Sequence, residues 1–399
     1  MHARRMTAAL LLAALSFVAG CGGGPQSGGA GTQKGPGAAQ TTGQAASGGE
    51  PIVIGVVTSL TGPLAATGVQ VAAGVRLAAK EWNEKGGVKG RQVEVVVEDD
   101  AGNPSTAVNA FNKILGRKPV AMFAPTFTPL VMAMYEGIKQ AGLPVFTSAT
   151  GVPITKQPEK LFFRLRTNDE KAGRIIAQYA VQELKAKRPG ILYPNNDYGK
   201  GGYQVIKTTL EELGAPPVAA ETFTQTDKDV SAQLLKIKRA GADLLIAWTV
   251  PADSGLVAKQ ARQLDLGIPI LGGPGFGTEE YLELAGEATD GIHVLLDAAV
   301  GLDEKTRPFV EAVKKNFPDV PVSFVVSTNY DGANMLLQAI EKAGTDPAAI
   351  RRALHEVKGY AGVSGPYSFD ADGNGLHQGV LARWEGRKLV PLKTVNVPD

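Results

Sequence analysis

Cysteine is nearly absent from this chain. Cys21 is the single one in 399 residues, and it stands in a Gly-rich stretch ahead of the first strand-like segment. A folded body without cysteine can hold neither a disulfide nor a thiolate metal site. Histidine is almost as scarce: His2, His293, His355 and His377 are scattered, and neither an H-E-x-x-H pair nor a G-x-S-x-G elbow occurs. No catalytic constellation is therefore assembled in the sequence, no cofactor or metal is called for, and a non-enzyme is expected. A charge excess is missing as well. The 41 Lys and Arg against 39 Asp and Glu leave a formal net charge of +2 without a basic block, which argues against a nucleic-acid partner. Beyond the first 20 residues every apolar run is broken by charges, Gly or Pro, so none has the roughly 20 apolar residues of a membrane span.

What is present begins with an export signal. Arg4 and Arg5 precede the short apolar run "AALLLAALSFVAG" at 8–20, which ends in small residues. Val18-Ala19-Gly20-Cys21 resembles the bacterial lipobox, in which the cysteine receives a lipid and becomes the mature N-terminus. The alternative is an ordinary signal peptide beside a stray cysteine. Residues 22–49 contain no aliphatic larger than Ala and no aromatic, a composition that cannot form a core and reads as a flexible tether. The expected layout is a signal peptide at 1–20, then a lipidated Cys21 and tether over 21–50, placing the folded part outside the cytoplasm.

About 350 residues remain, enough for two compact domains. Strand-like runs at 52–57, 92–98, 120–125, 144–149, 190–194, 243–249, 268–273 and 291–296 alternate with amphipathic helical patterns at 69–87, 104–116, 169–187 and 231–241. Asn103-Pro104-Ser105 and Asp169 read as helix starts, Gly116 and Gly241 as stops. Such alternation predicts the α/β class, with parallel sheets flanked by helices. It is interrupted by the extended segment "KLFFRLRTND" at 160–169 and again near 297–303, and the chain closes on two non-alternating strands expected to form an antiparallel hairpin or edge addition. Two lobes follow, 51–167 plus 298–378 and 168–297 plus 379–399, with several crossings of the chain between them.

"DADGNG" at 370–375 begins like a calcium loop, but its closing carboxylate position is Leu381 and its flanks are strand-like, so a tight turn is the reading. "GGPGFG" at 272–277 and "YGKGG" at 198–202 lack the spacing of phosphate-binding fingerprints. In open parallel sheets, ligands sit beyond the carboxyl ends of the strands. The loops there, "TSLTGPLAATG" (58–68), "EDDAGNP" (98–104), "PTFTPL" (125–130) and "TSATG" (147–151), are rich in hydroxyls, Gly and Pro and poor in charge. "EDDAGNP" reads as a helix cap. "PTFTPL" and "TSATG" read as anion seats, able to hold a carboxylate through N–H and hydroxyl donors.

Several stretches, "IVIGVVTSLTGPLAATG", "AAKEWNEKGGVKGRQVEVVVEDDAGNPSTAV", "LFFRLRTND", "YPNNDYGKGG" and "SGPYSFDADGNG", resemble the extracytoplasmic solute-binding proteins of branched-chain amino-acid-type ABC transporters. The similarity runs over about 51–385. It implies a type I periplasmic binding protein in lipoprotein form: two Rossmann-like lobes joined by a three-segment hinge, monomeric, closing on a small solute and docking on a permease driven by ATPase subunits. A sensor reporting to a receptor would use the same fold. By the same resemblance, Phe127, Thr128, Ala149, Thr150 and Gly151 form the carboxylate seat, Tyr198 covers the ligand, and Trp248, Thr249 and Phe276 stand at the second lobe's strand ends. Two positions depart from that pattern. Thr67 stands where leucine-type members carry a capping aromatic, and Gly272–Phe276 lacks the acid that pairs with a substrate ammonium. Either another acid substitutes, Asp197, Asp253, Glu279 or Asp331, or the solute has no α-ammonium.

Overall fold

The computed structural model describes residues 49–396; the signal peptide and nearly all of the tether, Cys21 included, lie outside the described residues. The first sheet is built from β1 (Ile52–Thr58), β2 (Val93–Asp99), β3 (Ala121–Ala124), β4 (Val145–Thr147) and β5 (Phe162–Arg164), all parallel, in the order β2-β1-β3-β4-β5. Helices α1 (Ala65–Glu84), α2 (Pro104–Leu115), α3 (Thr128–Ala133) and α4 (Tyr135–Ala141) connect β1 through β4. Asn103 caps α2, its Oδ1 accepting from the N–H groups of Ser105 and Thr106, with Pro104 at the first helical position where its missing N–H costs nothing. Helix α1 starts at Ala65, four residues ahead of the sequence pattern.

The second sheet repeats the plan with β6 (Pro189–Pro194), β7 (Ala219–Phe223), β8 (Leu244–Ala247), β9 (Ile270–Gly272) and β10 (His293–Leu296), connected through α6 (Asp197–Glu212), α7 (Ser231–Arg239), α8 (Pro251–Gln263) and α9 (Glu279–Ala285), with α5 (Asp169–Gln182) leading in. The C-terminal part supplies α10 (Arg307–Asn316), α11 (Phe324–Ala343) and α12 (Pro347–His355), a short ladder of β11 (Tyr360–Ala361) and β12 (Pro366–Tyr367), and the hairpin β13 (Gln378–Glu385) with β14 (Lys388–Asn396). Strand β13 pairs antiparallel with β10, giving the order β14-β13-β10-β9-β8-β6-β7. This is an α/β fold of two mostly parallel sheets flanked by helices.

The core of the first lobe joins Phe123, Phe146 and Phe163 to buried residues of α1, α11 and α12. Phe123 and Phe146 stack at 5.1 Å. The chain passes between the sheets three times, after β5, after β10 and before β13, and these passages are tied side by side. Arg166 Nε donates to Asp297 Oδ2 at 2.8 Å, and Thr167 Oγ1 donates to the Gln378 carbonyl at 2.5 Å. Among the described residues no helix is long and apolar enough to cross a membrane.

Candidate ligand-binding site

A cavity of about 260 Å³ lies where the carboxyl ends of both sheets face each other. From the first lobe it is walled by Leu64, Ala66, Thr67 and Gln70 at the start of α1, Gly102 and Pro104 after β2, Thr126–Leu130 after β3, Thr150 after β4 and Arg166 after β5. The second lobe contributes Asn196 and Tyr198, Gln225, Thr249–Pro251, and Pro274, Gly275 and Thr278–Glu280, while Pro321 and Ser323–Val325 close it at the head of α11. Every sheet-derived group follows a parallel strand, the position at which open α/β sheets bind ligands. The wall is largely aliphatic, prolyl and aromatic, and the volume falls below the roughly 300 Å³ lower end for drug-sized ligands, so the space suits a small molecule with an apolar body.

The polar side chains of the wall are mostly uncharged, and several are specifically held. Thr128 Oγ1 accepts the Gly151 N–H at 3.1 Å, which leaves its hydroxyl proton to donate elsewhere. The Thr126 hydroxyl is buried and meets no partner among the described residues. Arg166 is the one cation among the described residues that line the cavity. Its Nε and Nη1 are engaged by Asp297 and by the Ser148 carbonyl (3.2 Å), and its guanidinium lies 4.5 Å from the Phe324 ring centroid. Asp169, at the start of α5, is fully buried beside Thr150 and both Arg164 and Arg166. Burial raises its carboxyl to about 6 against the pull of Thr150 and the two guanidinium groups.

In the second lobe a chain of side chains runs along the wall. Asn196 caps α6 through the Gly199 N–H and donates Nδ2 to Gln225 Oε1 at 2.8 Å, and Gln225 Nε2 reaches Asp253 Oδ2 at 3.5 Å. Burial lifts the Asp253 carboxyl to about 7, only partly offset by Gln225 and Lys228, and the nearby Glu280 is also raised by burial. Of the acids expected to replace the absent one, Glu279 lines the cavity and Asp253 stands behind Gln225. Asp331 is spent on the N–H groups of Val363 and Ser364, and Asp197 is exposed outside the wall.

The structure brings Phe127, Thr128, Thr150, Tyr198 and Thr249 to one cavity. Four other expected residues stand behind its wall. The Ala149 and Gly151 carbonyls turn inward to Arg164. Trp248 is buried against α6, where a Cβ on Gly202 would come within 2.2 Å of its Nε1, and it supports Tyr198 by stacking at 5.4 Å. Phe276 fills the interior above Gly272 and beside Tyr281, and its carbonyl accepts from Trp384 Nε1. Trp248 and Phe276 are therefore supports of the wall in this structure. Arg166, Gln70, Gln225, Ser323 and Phe324 were not expected. The two arginines at alternate positions of the apolar run "LFFRLRT" are the signal that would have found Arg166, because a charge in a buried strand requires a dedicated partner.

A family model described as periplasmic binding protein matches residues 51–388. The chain belongs to that family. It is a type I member of the branched-chain amino-acid transporter group. A leucine-, isoleucine-, valine-, threonine- and alanine-binding protein of Pseudomonas aeruginosa is 30% identical over 327 residues, covering 81% of this chain and 87% of that one. A Leu/Ile/Val-binding protein homolog of Brucella melitensis is 28% identical over 359 residues, 89% and 97% of the two chains. Among solved structures, the substrate-binding protein LivJ of Streptococcus pneumoniae in complex with isoleucine superposes with a TM-score of 0.79 at 28% identity, over 87% of this chain and 99% of that one. Membership makes this periplasmic binding protein a solute-binding protein with an extracytoplasmic place of work.

Proposed function

We propose that the protein is the lipid-tethered, solute-capturing component of an ABC importer, and that its solute is a small carboxylate with an apolar body, a branched-chain amino acid being the first candidate. One observation carries the reading: a small, mostly apolar cavity shared by the strand ends of both lobes, with hydroxyls and a single guanidinium on the first-lobe side. The carboxylate faces Thr128, Thr150 and Arg166. The apolar body lies against Leu64, Phe127, Tyr198 and Phe324. An ammonium, where the solute has one, turns to the Gln225–Asp253–Glu280 side. Bound solute shifts the population toward the closed state, in which both walls touch it. The relatives' names support the amino-acid choice, and the export signal with its lipobox-like end supports the tether.

Calorimetric titration of the purified protein with isoleucine and with benzoate, in two buffers of different ionisation enthalpy, tests the solute. An ammonium beside Asp253 lowers a carboxyl poised near 7, so isoleucine binding at pH 7 should release up to about half a proton, whereas benzoate should release none. Isoleucine binding without proton release would remove Asp253 from the site, and no binding of either compound would overturn the solute class. For the tether, Cys21→Ser should move the protein from the membrane to the soluble fraction; retention on the membrane would refute lipidation at that residue.

A further inference from the structure

Arg164 lies in β5, two residues before the cavity-lining Arg166, yet it is entirely buried and is absent from the cavity wall. Its donors are spent on one loop and one turn. Nη1 donates to the Ala149 carbonyl and Nη2 to the Gly151 carbonyl, both at 2.8 Å, Nη2 also reaches Thr155 Oγ1 at 3.2 Å, and Nε donates to Asn374 Oδ1 at 2.9 Å. The acceptor Asn374 is itself fixed. Its N–H and its Nδ2 donate to the two oxygens of Asp370 at 2.8 and 2.9 Å, closing the 370–375 turn on itself. That turn is fastened to β5 by main-chain bonds from Arg164 N to the Gly373 carbonyl and from Gly375 N to the Arg164 carbonyl.

Burying a guanidinium removes a large hydration energy, and an apolar side chain would pack that position at lower cost. A lysine could not serve the same acceptors, because only the planar fork presents several donors in fixed directions. What the fork achieves is directional. It holds the carbonyls on either side of Thr150 toward the interior. Because a trans peptide sets its N–H opposite its C=O, fixing the Ala149 carbonyl on Arg164 turns the Thr150 N–H away from the guanidinium. Thr150 is the one residue of the three that lines the cavity.

We propose that Arg164, seated by the Asp370–Asn374 turn, is a positioning residue for the solute seat: it touches no solute and fixes the direction of Thr150. The proposal rests on the reading of Thr128 and Thr150 as the seat. It also gives the "DADGNG" turn a task other than ion binding, a brace on the binding loop carried by a distant part of the chain.

The test uses Arg164→Lys, which keeps the charge and loses the fork, and Asn374→Ala, which keeps the arginine and loses its seat. Asp331→Asn, at a comparably buried anchor of the 363–364 turn, is the control. Each full-length variant is titrated with isoleucine, melted, and followed by amide hydrogen exchange over 149–155. Arg164→Lys and Asn374→Ala should each weaken isoleucine binding by about tenfold, the scale of misaligning one or two hydrogen bonds, with faster exchange in that segment. Asp331→Asn should lower the melting temperature and leave isoleucine affinity unchanged. Unchanged affinity and exchange in Asn374→Ala and Arg164→Lys would overturn the brace, and so would an equal affinity loss in Asp331→Asn. Thr150→Ala with full affinity, or a wild-type chain that does not bind isoleucine, would instead overturn the reading of the seat, and exchange at 149–155 alone would then judge the brace.

Discussion

Thr128 and Gly151 act as a pair. The Gly151 N–H donates to the Thr128 hydroxyl, and a Cβ on Gly151 would lie 2.5 Å from the threonine methyl and 2.6 Å from its oxygen, so the two loops approach as closely as glycine allows. If that hydroxyl bonds the solute carboxylate, Thr128→Ala should weaken binding by roughly 1–3 kcal/mol while Thr128→Ser preserves most of the affinity. Gly151→Ala should imitate the loss by displacing the hydroxyl. Isothermal titration with isoleucine checks all three, and full affinity in Thr128→Ala would take the residue out of the seat. Sequence made this region legible because hydroxyl-rich loops at strand ends have few other reasons to be uncharged. It was less informative one strand over. In "AWTV" it marks where β8 ends, but not which of two neighbouring residues borders the cavity; Thr249 does, with its hydroxyl bonded to that of Ser254, and Trp248 packs under α6. Which acid could stand in for the absent one was undecided for the same reason, since only the folded wall places Glu279 and Asp253 near the cavity and Asp331 at another loop.

At the level of elements, alternation of apolar runs and helical patterns was enough to read the parallel sheets, because strands covered on both faces must be continuously apolar. The edge strand β7 escaped that rule. Its Ala219–Phe223 segment alternates partly buried and exposed residues and contains Glu221, which pairs with Lys236. Helix α8 holds one of the groups expected to make stability depend on pH. Asp253 in its first turn is buried, and its carboxyl is raised to about 7 from an ordinary 3.8. The folded state therefore keeps a proton that the unfolded chain releases, so this residue lowers stability progressively as pH rises from about 4 to about 7 and changes nothing further above that. Asp253→Asn should remove this slope, at most about 1.4 kcal/mol per pH unit, and make the protein more stable at pH 8 than the wild type. Urea melts between pH 4 and pH 8 decide it. Asp331, raised to about 7, and Asp169, raised to about 6, bend the profile in the same direction, so the variant should be less pH-sensitive but not insensitive. A parallel, unaltered slope would mean that Asp253 ionises as readily in the fold as outside it.

Across the whole molecule, one of the residues that tie the passages between the lobes also reaches the cavity. Arg166 sits in the first passage, pairs with Asp297 of the second and lines the wall, and Thr167 next to it bonds the third passage at Gln378. A solute bound at Arg166 would thereby be felt at two of the three connections, and the stacked Tyr198 and Trp248 link the opposite wall to the buried indole, which should report lobe closure as a fluorescence change. Removing one partner of a buried ion pair leaves the other charge uncompensated and typically costs about 3–5 kcal/mol. Asp297→Asn keeps the shape and removes the charge, so the solute-free variant should melt at a lower temperature than the wild type. A solute carboxylate on Arg166 would resupply the missing anion, and a ligand that binds only the folded state raises its melting temperature in proportion to that interaction. Saturating isoleucine should consequently raise the melting temperature of Asp297→Asn by more than it raises that of the wild type. An equal or smaller rise would place the carboxylate away from Arg166 and leave the hydroxyl loops of the first lobe as its only seat.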